Sequence, residues 1–142
     1  MGYLGKLNKN KGIEDLIDVY TKFQEKENSS NFELSLLIGG TGSENYIKSL
    51  KNKIKDNNVK FLGYVEDRYS FFESIEIFVF PSYSEGLGLV LLEAMAHGVI
   101  CITRDVTPMN SIVDNEENGF LFNDNKEPVS YTHLRAHETR RY

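Results

Sequence analysis

Short apolar runs alternate with longer amphipathic stretches along most of the chain. Residues 3–7, 32–38, 59–62, 77–80, 99–103 and 119–122 form brief apolar runs, most of them bounded by Gly, Pro or polar residues, which predicts buried strands. Between the first two, Ile13, Leu16, Ile17, Val19, Tyr20 and Phe23 recur close to the helical period and predict a helix over 13–26. Tyr46, Ile47, Leu50 and Ile54 make the stripe of a second helix, with Ser43 placed to cap it. Shorter helices are expected over 67–74 and 88–97, the latter stopped by Gly98. Residues 111–113 read as a turn or one helical turn. Strands alternating with helices imply βαβ units and a parallel sheet covered on both faces. The expected fold class is therefore α/β, a Rossmann-like doubly wound sheet of about six strands. Sheets of this kind bind ligands outside the carboxyl ends of their strands, here the loops after Leu7, Ile38, Leu62, Phe80 and Thr103.

Composition narrows the functional classes. A chain of 142 residues suffices for one domain with a hydrophobic core. Its net charge of −5 supplies no basic face for a phosphate backbone, so nucleic acid is not expected as a partner. The longest apolar stretch, 86–96, is interrupted by Glu93 and is far shorter than the ~20 residues of a membrane span. No signal-peptide pattern is visible, and the single cysteine, Cys101, sits in an apolar run that suits a buried thiol. A cytoplasmic protein fits these features. Residues 127–142 change vocabulary: residues 1–126 hold 13 Asn, 11 Lys and only two Arg, whereas the tail has neither Asn nor Lys but three Arg. The expected division is a domain over 1–126 and a tail over 127–142 that is artefactual or disordered.

The chemistry concentrates in residues 81–93. A strand ends at Phe80, a loop reads Pro81-Ser82-Tyr83-Ser84-Glu85-Gly86-Leu87-Gly88, and a helix follows. Its glycines allow a ligand close to the backbone, and the helix start offers unpaired N–H groups to a phosphate or sugar hydroxyl. Glu85 and Glu93 lie roughly 8 Å or more apart along the helix axis, wide for two carboxylates sharing one bond and suited to gripping separate hydroxyls of one extended ligand. Glu93 lies in a helix apolar nearly all round, where an acid is costly without a partner. The Gly39-Gly40-Thr41-Gly42 segment lacks the spacing of a phosphate loop and reads as a tight turn. His133 and His137 stand four apart in the tail but not in a zinc-binding motif, and no Asp-x-Asp is present. His97 falls at a helix end, where capping or dipole complementarity accounts for it.

The segment from Ser84 to Gly98, S-E-G-L-G-L-V-L-L-E-A-M-A-H-G, resembles the E-x7-E signature of the retaining GT-B glycosyltransferases, the "glycosyl transferases group 1" family. Other blocks follow in family order: G-K-L-N-K-N-K-G from Gly5, L-I-G-G-T-G from Leu37, V-K-F-L-G-Y-V from Val59, I-F-V-F-P-S from Ile77 and E-N-G-F-L-F from Glu117. The resemblance implies the C-terminal, donor-binding half of a GT-B fold, truncated at both ends, with a nucleoside-diphosphate sugar as substrate, no cofactor and no metal. It assigns Glu93 to the ribose hydroxyls and Glu85 to the transferred sugar. The N–H groups of Gly86, Leu87 and Gly88 would surround sugar and phosphates, Lys6 and Lys11 would neutralise the leaving diphosphate, and the backbone of Gly63, Tyr64 and Val65 would meet the base. Lys6 stands where arginine is commoner, and the family's proline-glutamate block keeps Pro108 but not the acid. An N-terminal acceptor domain would be the missing partner, and any membrane association would come through it. This chain alone is expected to be inactive. A nucleotide-sugar epimerase and a non-catalytic nucleotide-binding module remain as alternatives; an oxidoreductase is disfavoured by the absent G-x-G-x-x-G.

Overall fold

A computed structural model describes residues 1–27 and 33–123. Phe32, the tail from residue 127 and its His133 and His137 lie outside the described residues. The element order is β1 (Gly2–Leu4), a 3-10 turn (Lys9–Lys11), α1 (Ile13–Glu27), β2 (Leu36–Gly39), α2 (Glu44–Asn52), β3 (Val59–Gly63), α3 (Arg68–Glu73), β4 (Ile77–Phe80), α4 (Leu89–Ala96), β5 (Ile100–Arg104), α5 (Met109–Ile112) and β6 (Phe120–Phe122). The strands form one six-stranded sheet in the order β3-β2-β1-β4-β5-β6, every pairing parallel. This is the expected doubly wound α/β sheet. The first strand is shorter than predicted, because the chain leaves the sheet after Leu4 and Leu7 returns only for a bridge to Gly42.

The sheet forms because its central strands are apolar on both faces. All four residues of β4 are buried, and Tyr3, Leu36, Ile38, Phe78 and Phe80 join one core with Ile13, Leu16, Ile17 and Tyr20 of α1. Each such side chain, fully buried, contributes roughly 1.5–3 kcal/mol. Strand order reverses between β1 and β4. With right-handed crossovers, α1 and α2 then lie on one face and α3 and α4 on the other. Side-chain contacts agree: Lys53 after α2 pairs with Glu14 of α1, and His97 after α4 stacks on Phe72 of α3. His97, expected to cap its helix or complement the helix dipole, caps it through its backbone N–H and also meets Glu73 at 3.1 Å.

Local chemistry fixes the element ends. Ser43 caps α2 by accepting from the Tyr46 N–H, as expected, and Asp67 caps α3 by accepting from the Ser70 N–H. Gly88 precedes α4 in the left-handed region, with φ 64°. The Gly39-Gly40-Thr41-Gly42 turn is explained by packing. A Cβ on Gly40 would lie 1.7 Å from the Gly5 carbonyl oxygen and one on Gly42 would lie 2.1 Å from that of Leu7.

Candidate functional site

The loops after β1 and β4 meet where the strand order reverses, the place at which doubly wound sheets hold ligands. They are zipped together by short-range polar bonds. The Tyr83 N–H donates to the Asn10 carbonyl at 3.0 Å, and the Asn10 amide donates to Ser84 Oγ at 2.8 Å. Gly12, at φ 69°, lets the turn before α1 press against Pro81, whose carbonyl oxygen lies 2.2 Å from where a Cβ would stand. Across this seam Lys11 Nζ meets Glu85 Oε1 at 2.5 Å, and the buried Ser82 hydroxyl donates to the same oxygen at 3.0 Å. The pair is largely shielded, with 18% and 17% of the two side chains exposed.

A second set of contacts holds the β4–α4 loop from behind. Arg104, buried at the end of β5, donates through Nε to the Pro81 carbonyl at 3.0 Å and through Nη2 to Asp15 at 2.7 Å. Its guanidinium lies 3.9 Å from the Tyr83 ring centre, and the Tyr83 hydroxyl donates to Asp15. Neither Arg104, Ser82 nor Tyr83 was singled out from the sequence.

On the β1 side, the Tyr3 hydroxyl donates to the Lys6 carbonyl at 2.8 Å and pegs the loop from beneath. Burial, then the Glu85 charge and Tyr46, push this phenol far above its ordinary range. Lys6 is exposed and lines a cleft of about 450 Å³ with Lys9, Thr41 and Tyr46. Among the described residues no hydrogen bond or ion pair joins the Lys6 side chain to Glu85, which Lys11 holds instead.

At the start of α4 the backbone is open. Gly86 and Gly63 have no atom within 4 Å of an added Cβ, and Leu87 is 72% exposed. Gly63 takes φ 68°, which accounts for glycine there, whereas Gly86 shows no such requirement. Tyr64 projects at 78% exposure, while Val65 packs back over Gly39.

The apolar helix α4 is not buried all round, as its composition suggested. Leu91 and Ala94 face the core, but Leu89 is 67% and Leu92 46% exposed. Glu93 shares this open side and has the partner its position demanded. Arg68 Nε donates to Oε1 at 2.9 Å and to Oε2 at 3.1 Å, and Nη2 also donates to Oε2. These bonds hold the Glu93 carboxyl below its usual value. The two glutamates therefore engage different cations, Glu85 before α4 holding Lys11 and Glu93 in the middle of α4 holding Arg68. Among the described residues, no group of three or more His, Cys, Asp or Glu is gathered to hold a metal, and no helix is long and apolar enough to cross a membrane.

Comparison with known proteins places this geometry. The sequence model of the family described as "Glycosyl transferases group 1" matches residues 1–134. The capsular polysaccharide biosynthesis glycosyltransferase CapM of Staphylococcus aureus is 37% identical over 123 residues, covering 85% of this chain and 32% of that protein. Among solved structures, the C-terminal domain of the group 1 family protein LpcC of Francisella tularensis aligns with a TM-score of 0.75 at 26% identity, over 98% of this chain and 72% of that one. HepE of Anabaena, in complex with UDP and glucose, aligns with a TM-score of 0.75 at 25% identity, over 85% of this chain and 33% of its own. This chain thus spans about a third of the curated relatives it matches. With a sheet and a sequence that agree, the chain belongs to the group 1 glycosyl transferases, as the C-terminal half of a GT-B fold.

Proposed function

We propose that this chain binds the donor of a glycosyl transfer, a nucleoside-diphosphate sugar, whose sugar passes with retention of configuration to an acceptor held by a second, N-terminal domain. The carrying observation is Gly86. Its backbone conformation does not need glycine and no neighbouring atom would collide with a side chain, yet it lies between Glu85 and the start of α4. A ligand pressed against that backbone supplies the missing reason. HepE, which holds UDP and glucose, supports the same reading.

In this reading the diphosphate lies over the start of α4, where the N–H groups of Gly86, Leu87 and Gly88 and the positive end of the helix dipole face it. Lys11, and Lys6 from the rim, offset the negative charge that grows on the leaving diphosphate; preorganised cations and amides do this without reorganising as charge develops. Glu85 meets the transferred sugar and, before the donor arrives, holds Lys11 in place at 2.5 Å. Glu93 receives the ribose hydroxyls, and Gly63, Tyr64 and Val65 border the base. Neither a metal nor a cofactor takes part, and the protein works in the cytoplasm.

The test is calorimetric titration of the purified chain with UDP, GDP and their sugar conjugates. Binding of at least one, weakened about tenfold or more in Glu93→Ala, is expected from loss of hydrogen bonds to a charged acceptor. A folded chain that takes up none of them contradicts the proposal.

A further inference from the structure

The Arg68–Glu93 contact has a geometry that bears on donor affinity. Arg68 Nε lies 2.9 Å from one carboxylate oxygen of Glu93 and 3.1 Å from the other. A single donor nearly equidistant from both oxygens sits close to the bisector of the carboxylate, where the inner lone pairs converge. Nη2 adds a further bond to Oε2, so the guanidinium engages that edge as a fork. Two neighbouring hydroxyls of a ribose chelate a carboxylate along this same edge. A fork of N–H groups and a pair of O–H groups cannot occupy it together.

We infer that Arg68 is a latch on the donor site: it occupies the chelating edge of Glu93 in the free chain and must yield that edge to the ribose, so it sets donor affinity by competition. The inference rests on the proposed role of Glu93 in holding ribose. The latch can open. Its side chains are 45% and 34% exposed, and Arg68 sits in the first turn of α3, free to swing into solvent. Both helices are anchored in the core, α3 by Phe71 and Phe72 and α4 by Leu91 and Ala94, so the longer and more exposed arginine side chain is the member that moves. Tyr64, the other group that acts electrostatically on Arg68, is itself 78% exposed.

Competition predicts an effect of unusual sign. Removing a residue that contacts the ligand's own anchor should tighten binding. A ribonucleotide, which needs the whole edge, gains from removal of Arg68. A 2′-deoxy analogue, which cannot chelate, gains little. A purely structural or attractive role for Arg68 would weaken both alike.

The experiment titrates the 142-residue chain, its Arg68→Ala form and its Arg68→Lys form with UDP, GDP and their 2′-deoxy analogues, after circular dichroism confirms folding. Arg68→Ala should raise affinity for the bound ribonucleotide by roughly threefold or more, the scale of a half-exposed ion pair, with much less change for the deoxy form. Arg68→Lys keeps the charge but loses the fork, and should give a smaller rise in the same direction. If Arg68→Ala does not fold, the lysine form alone decides. Unchanged or weakened ribonucleotide binding, or an equal shift for both sugars, overturns the latch while leaving the donor reading intact. Failure of every folded form to bind any probe overturns both.

Discussion

Glu93 and Arg68 show how a single pair of side chains ties stability to the site. Hydrogen bonds from Arg68 hold the Glu93 carboxyl below its ordinary value of 4.5. The folded chain therefore binds that proton less readily than the unfolded chain. The stabilisation is fully present above the unfolded value and fades as pH falls through the lowered folded value. Acid unfolding followed by circular dichroism should show this loss below about pH 4.5, and Arg68→Ala should flatten that part of the curve. An identical pH profile in the variant would show that the pair adds nothing to the fold. The sequence pointed to Glu93 because an acid in an apolar helix needs a partner, but it could not name that partner. Twenty-five positions separate the two residues, and the contact is made only when α3 and α4 are laid side by side. One signal was available: Arg68 and Arg104 are the only arginines in residues 1–126 of a lysine-rich chain, and both make forked or stacked contacts at the site that lysine cannot reproduce.

The loops between elements divide into those the fold dictates and those it leaves open. Gly12 is dictated: it has φ 69° and no room for a Cβ beside Pro81. Gly12→Ala should therefore lower the unfolding free energy by more than about 1 kcal/mol, read from the denaturant midpoint. Gly86→Ala meets no neighbour and should leave that midpoint unchanged or slightly raised, while weakening nucleotide uptake. Loss of stability in the second variant would show that Gly86 serves the fold and would remove the proposal's main support. Arg104→Ala removes the bonds to Pro81 and Asp15 and the stacking on Tyr83, so thermal unfolding should shift downward. The β4–α4 loop should also become more mobile, as faster amide exchange at Tyr83 and Glu85. Element positions were legible because the apolar runs are short and sharply bounded. The seam between the loops was not, since it is built from backbone carbonyls and small polar residues such as Asn10, Ser82 and Ser84 that carry no pattern along the chain.

At the scale of the molecule, the parallel six-stranded sheet brings its loops to one edge, with the site at the reversal between β1 and β4. The chain covers about a third of its curated relatives, and the proposed reaction needs an acceptor that another domain would hold. Incubated alone with donor sugars and acceptors, the purified chain should release no transferred product; turnover would show that the acceptor site is already present in it. Whether the edge around Gly86 and Glu93 grips a nucleoside-diphosphate sugar is best read by nuclear magnetic resonance titration, which also registers weak binding. Adding UDP- or GDP-sugars to labelled chain should shift the backbone amides of Gly86, Leu87, Gly88, Gly63, Tyr64 and Val65 along saturable curves, with the midpoints moved about tenfold or more higher in Glu93→Ala. Saturable shifts confined to other parts of the chain, or unmoved midpoints in that variant, would contradict the account.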